Sequence, residues 1–284
     1  MPELPEVETV RRGLKALVVG KKIVDVQVLW PKIVTNDSEE FKQQLAGRTI
    51  EAIDRRGKYL LFRLSGHLTM VSHLRMEGRY FLNQSDEPVT KHTHVIIAFT
   101  DRTQLRYADV RKFGRMTLLK TGQENQLSGI HALGPEPLSP DFQVADFYQR
   151  LQKHKKNIKA VLLDQHTVAG LGNIYCDEVL WLSKIHPLLP ANRVTFTQAQ
   201  SLHAAIQAEL KKAVAAGGTT IRSYVDANGD SGHFQFNLHV YGREGQPCER
   251  CGALIQKIKV GGRGTHFCPQ EQVLPADSTM AVIQ

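Results

Sequence analysis

Four cysteines in 284 residues are too few for the disulfide framework of a small secreted scaffold, and three of them crowd into the last fifty positions. No apolar run approaches the roughly 20 residues that cross a bilayer, so no membrane partner is expected. The first residues include Glu3 and Glu6 and have no apolar core, so no secretory leader is expected either. Internal repeats and low-complexity tracts are missing as well. These absences point to an intracellular globular protein. What is present fits that class: 42% of residues are hydrophobic and 23% charged. Lys and Arg number 36 against 28 Asp and Glu, leaving a net charge of +8. That excess suits a polyanionic partner. The length allows one large domain or two ordinary ones.

The residue pattern changes along the chain. Residues 6–17 read as a helix, with Val7, Val10, Leu14 and Leu17 on one face and Gly20 closing it. From Lys21 to about Lys120 strands dominate. Val24, Val26 and Val28 alternate, and KYLLFRL, HVIIAFT and RMTLLK do so more loosely. This half reads as an antiparallel sandwich or barrel. HALGPEPLSPDF (131–142), with Gly134, Pro135, Pro137 and Pro140, reads as the start of a linker. A helical region follows, in which Leu202, Ile206, Leu210 and Val214 keep helical spacing until Gly217 and Gly218. The expected divisions are a β domain over 1–132, a linker over 133–150, a helical domain over 151–235, a finger-like hairpin over 236–275 and a tail over 276–284.

Several motifs could carry chemistry. Cys248 and Cys251 form a C-x2-C knuckle, and Cys268 follows at zinc-ribbon distance. The fourth place holds Glu271; its carboxylate is one candidate ligand and His266 another. The alternative is a metal-free hairpin held by packing. Arg263 stands in GGRGTH, where glycines let a backbone approach a ligand closely and a guanidinium could grip a phosphate; a solvated charged hairpin is the plainer reading. GLGNIY (170–175) opens a helix with Asn173 as a candidate N-cap, and helix starts offer amide hydrogens to phosphates. The basic run KHKKNIK precedes it. Cys176, inside that helix, reads as core filling. SHLRMEGRY and YADVRKFGRM place Met76 and Phe113 beside arginines, either as wedges between bases or as ordinary core. Lys58, in RRGKYL, reads by default as a surface lysine next to a turn.

Pro2 and Glu3 are harder to explain as structure. Pro5, Glu6 and Glu8 suit a helix start, but the two residues after Met1 do not need to be these. With Met1 removed, Pro2 becomes a secondary α-amine that titrates near pH 8. Such an amine is a credible nucleophile toward an electrophilic carbon, and its adduct is an iminium. Glu3 then stands ready to move protons.

Taken together, MPELPEVETVRRGL, GKYLL, SHLRMEGRY, DVRKFG, GLGNIY and GRGTHFCP make the chain strongly similar to the bacterial formamidopyrimidine-DNA glycosylases over nearly its full length. The resemblance implies an α+β, two-lobed fold: an N-terminal antiparallel β-sandwich with flanking helices, then a helix–two-turn–helix domain and a zinc-ribbon-like β-hairpin. It implies a monomer acting on damaged double-stranded DNA in the cytoplasm, associated with the nucleoid. The implied activity is excision of oxidised purines, 8-oxoguanine and formamidopyrimidines, followed by strand nicking. By the same resemblance Pro2 is the Schiff-base nucleophile, Glu3 the proton donor, and Lys58 and Arg263 the residues of β- and δ-elimination. His92, Arg111, Lys155, Lys156 and Asn173 fall where the family contacts DNA, and Met76, Arg111 and Phe113 where it fills the void left by the flipped base. TTIRSYV (219–225) matches the loop that closes over that base. One Zn2+ is implied on Cys248, Cys251 and Cys268, with Glu271 in place of the usual fourth cysteine. Leu4 separates the chain from the sister endonuclease branch, where glycine is usual. QVLPADSTMAVIQ extends past the usual end and is expected to lack order.

Overall fold

The computed structural model describes residues 1–219 and 234–275, apart from the Phe236 side chain. These residues divide into two units, 1–131 with 216–219 and 234–235, and 132–215 with 236–275.

The first unit begins with α1 (Leu4–Val18). It starts two residues before the apolar pattern, because Pro5 fits the first turn and the Glu6 carboxylate accepts from the Glu3 backbone N–H at 2.8 Å. Then follow β1 (Ile23–Val28), α2 (Ser38–Leu45), β2 (Ile50–Arg56), β3 (Tyr59–Leu64), β4 (Leu68–His73), β5 (Arg79–Gln84), β6 (Thr93–Phe99), β7 (Thr103–Ala108), β8 (Arg115–Lys120) and the short α3 (Ser128–His131). They form two four-stranded antiparallel sheets, ordered β1-β6-β7-β5 and β2-β3-β4-β8. One apolar cluster joins Phe62, Met70 and Leu118 of one sheet to Val26, Ile97 and Leu105 of the other and to Val7, Val10 and Leu14 of α1. Each such side chain contributes on the order of 1.5–3 kcal/mol by burial. The expected sandwich is therefore present. The Val24–Val26–Val28 alternation fails, however: the β1–β6 register shifts between Ile23 and Asp25, which buries Ile23 and Val26 and leaves Val24 51% exposed.

The second unit contains α4 (Val144–Gln152), α5 (Ile158–Leu163), α6 (Asn173–Leu182), α7 (Phe196–Ala215), β9 (Gln256–Val260) and β10 (Arg263–Phe267). Residues 133–150 thus belong to this unit instead of forming a separate linker, and α4 buries Phe147 and Leu151. Residues 216–219 join the first unit because the Thr219 N–H donates to Glu6 Oε1 at 2.8 Å. The Asn157 side chain caps α5 by accepting from the Ala160 N–H. Between α5 and α6 the Gln165 amide donates to the carbonyls of Leu163 and Leu171 and accepts from the Gly170 N–H, which staples the two turns. In α7, Leu202, Ile206, Leu210 and Val214 are buried as their spacing predicts. Strand texture in the last fifty residues resolves, among the described residues, into β9 and β10 alone.

Candidate active site and nucleic-acid interface

In the first unit, Pro2 and Glu3 precede α1, and both are buried, Glu3 to 2% exposure. Lys58 occupies a two-residue turn: Arg56 pairs with Tyr59, and Gly57 takes φ 56°, a left-handed conformation that suits glycine. A lysine in such a turn should be solvated, yet Lys58 is only 5% exposed. Its default reading as a surface lysine is therefore wrong. α1 and this turn share one frame. Arg11, Arg12 and Arg55 converge on the Glu8 carboxylate at 2.8–3.2 Å, Arg11 also donates to the Ile53 carbonyl, and Arg55 to that of Gly57. Burial acts to raise the Glu8 pKa, but the three arginines outweigh it and hold the group down to about 2. Beside the turn, burial, reinforced by the Arg75 and Lys58 charges, pushes His73 down to about 3, so this imidazole is neutral at physiological pH.

Two loops of the same unit present apolar side chains to solvent. Met76 is 39% and Phe113 47% exposed, which rules out the core reading of both. The Arg111 guanidinium lies 4.7 Å from the Phe113 ring centroid. Buried Asp109 shapes this loop, accepting from the Arg111 and Gly114 N–H groups at 3.0 and 2.8 Å. A Cβ on Gly114 would fall 1.7 Å from the Tyr107 hydroxyl, so the loop needs glycine there. The partly exposed His92 accepts from the Asp109 N–H through its carbonyl.

In the second unit, Lys155 and Lys156 are exposed just before α5. Asn173 is the first residue of α6, and Gly172 is the N-cap in its place. The Asn173 side chain donates instead to the Gly264 carbonyl at 3.0 Å. Arg263 is exposed at the start of β10, directly after Gly261 and Gly262, both at positive φ as a tight hairpin turn demands. Cys176 fills core, as expected.

The sulfurs of Cys248, Cys251 and Cys268 lie within 4.8 Å of one another, a soft, closely set donor group that fits zinc. Burial raises the Cys248 pKa, but hydrogen bonds from the Arg250 and Cys251 N–H groups and the Trp181 indole bring it to about 7, whereas burial holds the neighbouring Cys268 up to about 11. The Glu271 carboxylate is outside this group of ligand atoms and pairs with Lys184 at 2.9 Å and Arg250 at 3.1 Å. His266 turns its Nδ1 to Asp177 at 3.3 Å.

Residues 220–225 of TTIRSYV, and the tail from 276, lie outside the described residues. Sequence reasoning places Glu6 at the start of α1, as found, and takes Lys159 only as part of the basic run KHKKNIK; it misses Asp109 and Asp177. For Lys159 one signal existed, since it sits among the apolar positions Ile158, Val161 and Leu162 of a helix.

A β-sandwich with a buried lysine turn and exposed Met76 and Phe113 beside arginines, and a helix–two-turn–helix unit with a basic hairpin, are the parts of a DNA-lesion-handling enzyme. The chain belongs to the formamidopyrimidine-DNA glycosylase family. Residues 1–116 match the model of its N-terminal domain, 133–225 that of its H2TH domain, and 245–270 that of a zinc finger found in FPG and IleRS. A formamidopyrimidine-DNA glycosylase of Ligilactobacillus salivarius is 61% identical, the match covering 96% of this chain and 99% of that protein. One from Enterococcus faecalis is 58% identical, over 96% and 98%. A Lactococcus lactis FPG mutant in complex with Fapy-dG DNA superposes with a TM-score of 0.92 at 48% identity, over 96% of this chain and all of that one. The wild-type Lactococcus lactis enzyme with N7-benzyl-Fapy-dG DNA gives 0.91 at 49%, with the same coverage. Among the described residues no helix is long and apolar enough to cross a membrane.

Proposed function

We propose that this chain is a monomeric, bifunctional DNA glycosylase and lyase of base excision repair, working on nucleoid DNA in the cytoplasm and removing 8-oxoguanine and formamidopyrimidines. The observation that carries the reading is the burial of Pro2, Glu3 and Lys58 together with the exposure of Met76 and Phe113. Reactive groups are shielded from water while large apolar side chains face it, the reverse of what stability alone selects. Met76, Arg111 and Phe113 fill the duplex after the base flips, offsetting unstacking of a few kcal/mol. His92, Arg111, Lys155, Lys156 and Asn173 hold phosphates.

The chemistry runs through the Pro2 nitrogen, freed by removal of Met1. The neutral amine bonds to the sugar C1′ as the bond from C1′ to the base breaks, and the proton the amine loses ends on the departing base. Glu3 protonates the ring oxygen as the sugar opens, leaving an iminium. Loss of a C2′ proton expels the 3′ phosphate, aided by Lys58. Loss of a C4′ proton then expels the 5′ phosphate, aided by Arg263. Borohydride added during turnover on an 8-oxoguanine·cytosine duplex should trap a covalent adduct on Pro2, located by peptide mass spectrometry. Pro2→Gly should weaken the lyase steps more than DNA binding. An adduct on a lysine, or none, would overturn the assignment.

One zinc ion is held by Cys248, Cys251 and Cys268, and its contribution is structural. Glu271 would serve as the anionic partner of Lys184 and Arg250 and would not be a zinc ligand. Glu271→Ala should therefore keep the metal by elemental analysis, and Glu271→Cys should slow its removal by chelators. Loss of metal in Glu271→Ala would make Glu271 a ligand.

A further inference from the structure

Lys159 closes the basic run KHKKNIK, yet unlike the exposed Lys155 and Lys156 its side chain is 0% exposed. Its ammonium donates to Asp177 Oδ1 at 2.6 Å, Thr265 Oγ1 at 2.7 Å and the Gly264 carbonyl at 3.3 Å. Three donors meet three acceptors, so the charge is fully satisfied. The other Asp177 oxygen, Oδ2, accepts from the His266 N–H at 2.9 Å and faces its Nδ1 at 3.3 Å. Asn173 adds its own bond to the Gly264 carbonyl. Each of the three residues after Arg263 is thus tied to α5 or α6.

A buried ion pair is a poor device for stability, because desolvation consumes most of the attraction and an apolar pair of equal volume is often as stable. It does fix geometry, since each bond has a direction. Cys268 holds the far end of β10 in the sulfur cluster, and the Lys159–Asp177 pair holds the end next to Arg263. We propose that Lys159 and Asp177 are positioning residues, which hold β10 so that Arg263 and Asn173 form one preset phosphate grip. The proposal rests on the reading of Arg263 and Asn173 as phosphate contacts.

The test uses the full chain with Lys159→Met and Asp177→Leu combined, which leaves no unpaired buried charge. Thr265→Val serves as a milder variant that keeps both charges. Thermal melting reports the fold. Affinity for a duplex bearing a tetrahydrofuran abasic analogue reports the grip, and the ratio of δ- to β-elimination products from an abasic duplex reports Arg263. Both the affinity and the ratio should fall about tenfold in the double variant, and less in Thr265→Val, with melting retained. Adding Arg263→Ala to the double variant should bring little further loss in the product ratio, because the pair acts through Arg263. A folded double variant with wild-type affinity and product ratio, or a product-ratio loss that adds fully to that of Arg263→Ala, overturns the proposal. If the double variant fails to fold, a wild-type product ratio in Thr265→Val does so. If Arg263→Ala itself binds and nicks like wild type, the phosphate-grip reading fails and the proposal falls with it. An impaired Arg263→Ala beside an unimpaired double variant sinks the positioning role alone.

Discussion

Replacing Glu3 by glutamine should lower base excision by roughly 10²- to 10⁴-fold, the usual worth of a positioned proton donor, and leave binding to abasic-analogue DNA nearly unchanged. The substitution keeps volume and polarity at a position only 2% exposed. The local backbone should not move, because the Glu3 N–H is held by the Glu6 carboxylate, which also accepts from Thr219. What is lost is the transferable proton alone. Lyase action on a preformed abasic site should suffer less than excision of 8-oxoguanine, since an abasic sugar already exchanges with its ring-opened aldehyde without help from Glu3. Single-turnover rates on the two substrates, measured beside a gel-shift titration, separate these effects. Excision within threefold of wild type would remove Glu3 from the mechanism and leave its burial a matter of helix capping.

Legibility followed the range of the forces involved. RMTLLK reads as a strand and is β8, and the leucine–isoleucine spacing of α7 matches its buried face, because period and burial are local properties. Val24 was misread because a bulge depends on the partner strand, which the β1 segment does not contain. Lys58, Met76 and Phe113 defeated their default readings for a related reason: burial of a turn lysine and exposure of a wedge are decided by tertiary placement. Family resemblance named these residues without giving their environment. Lys159 and Asp177 lie 18 positions apart, and their shared target is more than 80 further on, so no local pattern joins them.

The same blindness applies to a buried acid whose effect depends on pH. Glu209 on α7 is 2% exposed, and its Oε1 has no hydrogen-bond partner among the described residues. Burial, and then the nearby Glu178 charge, push its pKa from 4.5 up to about 7. Glu178 is spoken for, since its carboxylate accepts from the His239, Val240 and Tyr241 N–H groups at 2.7–3.0 Å. In the unfolded chain Glu209 gives up its proton near pH 4.5, whereas in the folded one it keeps it until about 7. Between those values the folded state binds more protons, so stability falls as pH rises and the loss is complete above about 7. At 1.36 kcal/mol per pKa unit the full loss is about 3 kcal/mol. Glu209→Gln is neutral at every pH and escapes it. Any fixed cost of burying the amide is the same at all pH values, so the slope is the diagnostic quantity. The stability difference between variant and wild type, from denaturant midpoints, should move in favour of the variant by about 3 kcal/mol between pH 4 and pH 8. A difference that stays constant over that range would mean Glu209 is ionised in the fold, with its charge compensated by Lys212 or His239, the two groups that oppose the shift.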